Sequence, residues 1–303
     1  MIIRAACEFE RMFSMDSNQN YKTAYTAAYA RLMEQYMPKE LKLFDDPLVK
    51  YFFSSYISSL MRFSVLRKVF IFMYNITAVG LFGLQVCRTK YIDAIFKKAL
   101  NNGIKQIVIL GSGLDTRPYR IARDNETKIF EVDQPIILEK KRTILSKYVE
   151  QAFDNVIFTP IDFNIQKLDE VLIANGLDLS KPILFIMEGV SQYITQEAID
   201  NTLQFIAKAS SGSELVFTYI LKAVIDGTSN MLGAESLVNL FKISEEPWRF
   251  GLNPSELSDF FSQYKLQIID DIGTSFYKEN YLYPIGRKLD ISSMERIAYA
   301  RIL

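Results

Sequence analysis

Two glycines and three carboxylates carry the chemistry that this chain's spacing suggests. In "QIVILGSGLDTRPYRIARDNETKIFEVDQ" (residues 106–134) a β-branched run ends at Gly111 and Gly113, and a second apolar run ends at Asp133, 22 residues after the first glycine. Glycine allows a tight turn and a close approach of backbone to ligand, and an acid at the end of the second strand can accept both hydroxyls of a ribose. The next two apolar runs also finish in acids: "VIFTPIDF" reaches Asp162 and Phe163, and "PILFIMEG" reaches Glu188. Open α/β sheets bind ligands outside the carboxyl ends of their strands. Gly111 and Gly113, Asp133, Asp162 and Glu188 are therefore expected to converge on one crevice. Asp162 alone is also open to the reading of a solvated loop acid or a helix N-cap.

The spacing favours a nucleoside over a dinucleotide. A full dinucleotide fingerprint has a third glycine where Thr116 stands, so close docking of a pyrophosphate on a helix N-terminus is disfavoured, and a nicotinamide oxidoreductase with it. S-adenosylmethionine, with ribose, adenine, a sulfonium and an amino-acid end but no phosphate, fits the pattern. The competing reading is that Gly111 and Gly113 only turn a strand into a helix.

Composition removes other chemistries. The chain has 303 residues and no histidine, and its two cysteines, Cys7 and Cys87, form no CxxC pair. Zinc sites, Cys/His nucleophile pairs and Ser-His-Asp triads are excluded together, and no metal is expected. Lys plus Arg and Asp plus Glu both number 35. No global basic field exists to hold nucleic acid, so a small-molecule acceptor is the expected partner. Few cysteines and no basic segment leading into a long apolar start make a reducing cytoplasmic location the expectation. Residues 69–87 form 19 residues without a charge, bracketed by Arg67, Lys68, Arg88 and Lys90. That is long enough to span a bilayer. Asn75, Thr77 and Gln85 interrupt it and Gly80 and Gly83 weaken it, so the favoured reading is an apolar cover over the pocket, with peripheral membrane contact as the alternative.

The elements that must position these residues follow from periodicity. Residues 1–20 show no period and are expected as a loosely held arm. Residues 23–36 read as a helix stopped by Pro38, a second helix is expected through Tyr51, Phe52 and Phe53, and a third from near Arg88 to an αL cap at Gly103. From residue 106 onward strands and helices alternate, with strands near 106–111, 128–132, 156–161, 182–187 and 214–219, then "KLQIIDDI" and "ERIAYARIL". This is an α/β chain read as one domain, with residues 1–103 as helical arm and cover, 104–303 as core, and an insertion at about 222–253.

"TAAYARLMEQ", "LFDDPLVKYF", "RTKYIDAIF", "QIVILGSGLDTRPYRI", "FEVDQPIILEKKR", "MEGVSQYITQEAI", "EPWRFGLNPSELSDFF" and "ERIAYARI" resemble, in order, the motifs of bacterial S-adenosylmethionine-dependent methyltransferases related to leucine carboxyl methyltransferase. "LDTR" followed by "EVDQP" is specific to that group, and the resemblance runs from about Thr23 to the C-terminus. It implies a seven-stranded Rossmann-like methyltransferase sheet of order 3-2-1-4-5-7-6, strand 7 antiparallel, beneath an N-terminal helical cover. It also implies roles: Arg88 on the methionyl carboxylate, Asp133 on the ribose, Asp162 and Phe163 beside the adenine, Glu188 facing the methionyl end, and Tyr193 near the acceptor. The chain departs from the family at Lys90, where a second arginine is frequent, and at "GVSQY", where Ser191 and Gln192 replace a leucine- or methionine-rich segment.

Methyl transfer from a sulfonium needs alignment and exclusion of water more than a strong base. A carboxylate acceptor is ionised at neutral pH, whereas a phenol benefits from a base, often histidine. The missing histidine therefore tilts the expectation towards carboxyl O-methylation of a small or medium, partly apolar acid. Arg249 of "EPWRF" is expected to anchor an acidic group, with Trp248 and Phe250 holding the apolar body; alternatively the motif only closes the insertion onto the sheet. A cofactor-binding regulatory protein without turnover, or a membrane-associated enzyme acting on a lipid-like acid, are the other readings.

Overall fold

A computed structural model describes residues 22–77, 79–122, 126–149, 154–161, 166–231 and 247–303. The arm expected at residues 1–20, most of the middle of the insertion, and both Asp162 and Phe163 lie outside the described residues.

Seven strands form one sheet: β1 Gln106–Leu110, β2 Lys128–Asp133, β3 Val156–Pro160, β4 Ile183–Met187, β5 Glu214–Ile220, β6 Leu266–Ile272 and β7 Glu295–Ile302. Their order is β3-β2-β1-β4-β5-β7-β6. The first five run parallel, and β7 is antiparallel to both β5 and β6. Every residue of β1, β4 and β5 is buried, as expected for central strands covered on both faces. Alternation divides their side chains between two layers. Ile107 and Ile109 pack into the layer built with the N-terminal helices, while Val108 and Leu110 pack against the helices that follow β3, β4 and the insertion.

The cover before β1 consists of α1 Lys22–Gln35, α2 Ser55–Leu60, α3 Ser64–Thr77 and α4 Leu81–Asn101. Tyr51 and Phe52 sit in a single 3-10 turn, Val49–Phe52, and not in a longer helix, because Ser54 starts a new helix by capping the Ile57 amide. The helix expected from Arg88 begins seven residues earlier, at Leu81. Gly80 and Gly83 are the reason. A Cβ on Gly80 would lie 2.4 Å from the Ser292 nitrogen, and one on Gly83 would lie 2.0 Å from the Asp290 carbonyl oxygen, so both glycines let the start of α4 pass against the 290–292 backbone. Gly80 has φ +77, which breaks the apolar 69–87 stretch into two helices bent by 100°. Among the described residues no single helix is long and apolar enough to cross a membrane.

Ion pairs fasten the cover to the core. Arg31 of α1 bridges Asp46 at 2.7 Å and donates to the Leu114 carbonyl at 2.7 Å in the loop after β1. Glu34 takes both terminal nitrogens of Arg287 at 2.8 Å. These contacts hold α1 against the loop after β1, and Ala24 and Arg31 of that helix line the space above the sheet.

Candidate active site

Strand register places the chemistry. Leu110 pairs with Val132 on one side and Met187 on the other, so Gly111, Asp133 and Glu188 form one row across three neighbouring strand ends. This row sits at the topological switch point, where the chain moves from one side of β1 to the other. Above it lies a cavity of about 280 Å3, lined by Gly111 to Asp115, Asp133, Glu188 and Tyr193, by Ala24 and Arg31 of α1, by Leu84, Gln85 and Arg88 of α4, and by Trp248, Met294 and Glu295.

The glycine loop is braced by Asp133. One carboxylate oxygen accepts from the Gly113 amide at 2.6 Å and the other from the Gln134 amide at 2.7 Å, leaving a further lone pair on each oxygen. Burial raises the pKa of Asp133, and the two amides partly offset that. Gly111 and Gly113 have φ of +65 and +45, and a Cβ on Gly111 would meet Val190 Cγ2 at 2.3 Å. The loop therefore needs glycine at 111 for both conformation and space. The same strand carries Glu131, fully buried, with Lys141 at 2.5 Å and the Tyr119 hydroxyl at 2.9 Å.

The methionyl side of the row is a charge network. Glu188 accepts from Arg88 Nε at 2.8 Å and from Arg117 Nη1 at 2.6 Å. Burial opposes its charge, but Arg117 and Arg88 outweigh that and hold its pKa below the ordinary value. Arg117 also meets Asp115 at 2.7 Å and Asp93 at 2.8 Å, and Asp93 pairs with Arg120 at 2.7 Å. Asp115 further accepts from the Arg117 backbone amide at 2.7 Å, so "LDTR" is a turn fixed by its own side chains.

Arg88 is buried in the same network. Its Nη1 faces both oxygens of Glu295, at 2.8 and 2.9 Å, and its Nη2 meets Gln85 at 2.6 Å. The two-oxygen grip expected for a ligand carboxylate is thus taken by Glu295, and one N–H of Nη2 is left to point elsewhere. Glu295, at the start of β7 and 207 residues from Arg88, had no local signal in the sequence. Arg117 had one, the "LDTR" motif, but its contact with Glu188 depends on how β1 and β4 align.

The remaining candidates separate. Tyr193 lines the cavity from a 3-10 turn, Ser191–Tyr193, which is tied to β5 by the Ser191 hydroxyl donating to the Thr218 carbonyl at 2.6 Å. Arg249 is exposed and does not line the cavity, although its backbone amide donates to the Gln192 carbonyl at 2.6 Å. Phe250 is buried against Phe217 in the layer away from the cavity, with ring centroids 6.3 Å apart. Of "WRF", Trp248 alone reaches the site. Arg249 lies between two residues that pack against the protein, Trp248 at the cavity and Phe250 in the other layer, and its own side chain is left to solvent. Ser112 Oγ and Gln192 Oε1 are buried at the cavity with no hydrogen-bond partner among the described residues. Both are polar handles available to a ligand.

Comparison with known proteins agrees with this architecture. The sequence profile of the leucine carboxyl methyltransferase family matches residues 24–207. A Mycobacterium ulcerans (strain Agy99) protein provisionally named as an S-adenosyl-L-methionine-dependent methyltransferase is 31% identical over 210 residues, 67% of each chain. A Streptomyces coelicolor protein of the same provisional name is 34% identical over 142 residues, 46% of this chain and 50% of that one. Two crystal structures share the fold. One is a protein from Thermobifida fusca YX provisionally described as a methyltransferase (TM-score 0.58, 17% identity, covering 79% of this chain and 89% of the other). The other is a DUF574-family protein from Streptomyces avermitilis (TM-score 0.57, 16% identity, 91% and 97%). Sheet order and sequence relationship together define an S-adenosylmethionine-dependent methyltransferase. The chain belongs to the leucine carboxyl methyltransferase family, and its cofactor is S-adenosylmethionine.

The cavity suits that cofactor. Its charged lining is Arg31, Arg88 and Arg117 against Asp115, Asp133, Glu188 and Glu295, one net negative charge. S-adenosylmethionine, with a sulfonium, an ammonium and a carboxylate, carries one net positive charge.

Proposed function

We propose that this protein transfers the methyl group of S-adenosylmethionine to a carboxylate oxygen of a small or medium, partly apolar acid. One observation carries the reading: among the described residues, every carboxylate lining the cavity is already engaged. Asp115 is held by Arg117, Glu188 by Arg88 and Arg117, Glu295 by Arg88, and Asp133 by two backbone amides. The chain has no histidine, and among the described residues no lysine joins them in the lining. An acceptor that had to lose a proton in the reaction would find no ready base there, whereas a carboxylate arrives ionised.

In this reading Gly111 and Gly113 shape the nucleoside seat, and Asp133 receives the ribose hydroxyls on its remaining lone pairs. The adenine is assigned to Asp162 and Phe163 by the family resemblance alone, both being outside the described residues. Glu188 and the outward N–H of Arg88 meet the ammonium and carboxylate of the methionyl end. Tyr193 orients the acceptor, and Trp248, Met294 and Ile220 enclose its apolar body and exclude water. Bound S-adenosylmethionine would supply an electrophilic methyl on a positively charged sulfur, the O–CH3 bond to the acceptor forming in line as the C–S bond breaks and neutral S-adenosylhomocysteine leaves. The family's link to carboxyl methylation supports the same choice of acceptor.

The test uses methyl-labelled S-adenosylmethionine and a metabolite extract, followed by mild alkali. A methyl ester releases the label as volatile methanol. Label that stays on the product would refute carboxyl methylation.

A further inference from the structure

The outer face of α3 is apolar where solvent should demand polarity. Val65, Val69, Phe72 and Ile76 recur at spacings of four, three and four, which on a helix confines them to an arc of about 60°. They are 46 to 70% exposed. The opposite face of the same helix is the one that packs: Arg67, Phe70 and Tyr74 are buried, and the Tyr74 hydroxyl donates to the Thr26 carbonyl of α1 at 3.0 Å. A helix with one face in the protein and a second apolar face outside is not explained by folding.

Charge identifies what this face fits. Between Asp46 and Asp93 the chain contains no Asp or Glu, yet it contains Lys50, Arg62, Arg67, Lys68, Arg88 and Lys90, in a chain whose acids and bases balance overall. Arg62 and Lys68 are exposed beside the stripe. An apolar stripe bordered by cations without acids is the pattern of a helix that lies in the interface of an anionic bilayer. A second copy of the chain fits less well, since a two-fold contact through this face would bring Arg62 and Lys68 of each copy together. The stripe also leads, through Gly80, to Leu81 and Leu84 at the cavity wall. We propose that α3 docks the protein on an anionic lipid surface, with the stripe in the acyl boundary and Arg62 and Lys68 at the head groups. This does not depend on the identity of the acceptor.

The test is co-sedimentation of the full chain with vesicles of phosphatidylcholine, alone or mixed with phosphatidylglycerol. The wild type is expected to pellet with the anionic vesicles. Phe72→Ser with Ile76→Ser should lower partitioning at least about tenfold, because two apolar side chains no longer leave water. Arg62→Gln with Lys68→Gln should lower it about tenfold or more on the anionic vesicles alone. Both variants should bind S-adenosylmethionine as the wild type does; if the first misfolds, Val65→Ser with Val69→Ser asks the same question. Wild type that stays in the supernatant, or equal pelleting of the stripe variants, would overturn the proposal. So would a dimer in analytical ultracentrifugation that Phe72→Ser with Ile76→Ser dissolves, which would assign the stripe to a second copy. Loss of methyl transfer with retained vesicle binding would count against the proposed function and leave this inference standing.

Discussion

Replacing Asp133 by alanine separates two jobs that the same carboxylate performs. Its oxygens hold the Gly113 and Gln134 amides at 2.6 and 2.7 Å, and Asp133 is 8% exposed. Alanine leaves both N–H groups facing a small, mostly buried space, at about 1 to 3 kcal/mol for each unpaired donor. For a chain of 303 residues the entropy of unfolding scales so that each kcal/mol shifts Tm by about 1.6 °C, giving a drop of about 3 to 9 °C. Binding is a separate quantity. Loss of charge-assisted hydrogen bonds to the ribose should weaken S-adenosylmethionine by about 1.5 to 3 kcal/mol, or roughly 10- to 150-fold in Kd. Differential scanning calorimetry reads the first effect and isothermal titration calorimetry the second. Asp133→Asn should fall between, since its one carbonyl oxygen can still serve one amide. A lowered Tm with unchanged Kd would show that Asp133 only braces the loop, and the ribose assignment would be wrong.

Gly111→Ala should cost about 2 to 5 kcal/mol, from left-handed backbone strain and the 2.3 Å approach to Val190 Cγ2; adding Val190→Ala should recover only the steric part, which a double-mutant cycle in urea measures. Glu188→Gln leaves Arg88 and Arg117 with one fewer buried anion and should destabilise by about 3 to 5 kcal/mol, lowering Tm by about 5 to 8 °C; an unshifted melting curve would mean that Asp115 and Glu295 suffice for both arginines. For Asp115, burial opposes the charge but Arg117, Lys141 and Arg31 hold its pKa down at about 2, against an ordinary 3.8. Its contribution is therefore complete above pH 3.8 and lost as pH falls towards 2, by about 2 kcal/mol, and Asp115→Asn should flatten that limb of a stability-against-pH curve. Glu131 has the opposite sign: burial outweighs Lys141 and Tyr119 and lifts it from 4.5 to about 6. The folded state then holds that proton more tightly, so stability declines as pH rises from about 4.5 to 6, and Glu131→Gln should abolish the decline.

The strands and the row of Gly111, Asp133 and Glu188 were legible in the sequence because each rests on a local signal. An apolar β-branched run ending in glycine or an acid needs no knowledge of distant residues, and the fold's register brings such ends together. The resemblance to a known family supplied the order of the strands, which periodicity does not contain. What went astray was also local in form. Arg249 and Phe250 read as pocket residues because aromatic and basic types suggest binding, but residue type does not fix direction: Arg249 is exposed, Phe250 packs on Phe217 in the other layer, and Trp248 alone lines the cavity. The start of α4 was misplaced because Gly80 and Gly83 read as weak helix formers; only the path of residues 290–292 shows that they are there for clearance.

The sequence by itself thus determined which residue types stand at the strand ends and that no histidine chemistry is possible, since both are properties of composition and short-range pattern. Tertiary structure decided how the charges are shared. Arg88 meets Glu295 across 207 positions, and Glu188 lies between Arg88 and Arg117, which are 100 and 71 positions away. Ion pairs in a buried cavity are set by distance in space, and the chain closes such distances only when the sheet and its helical cover have packed.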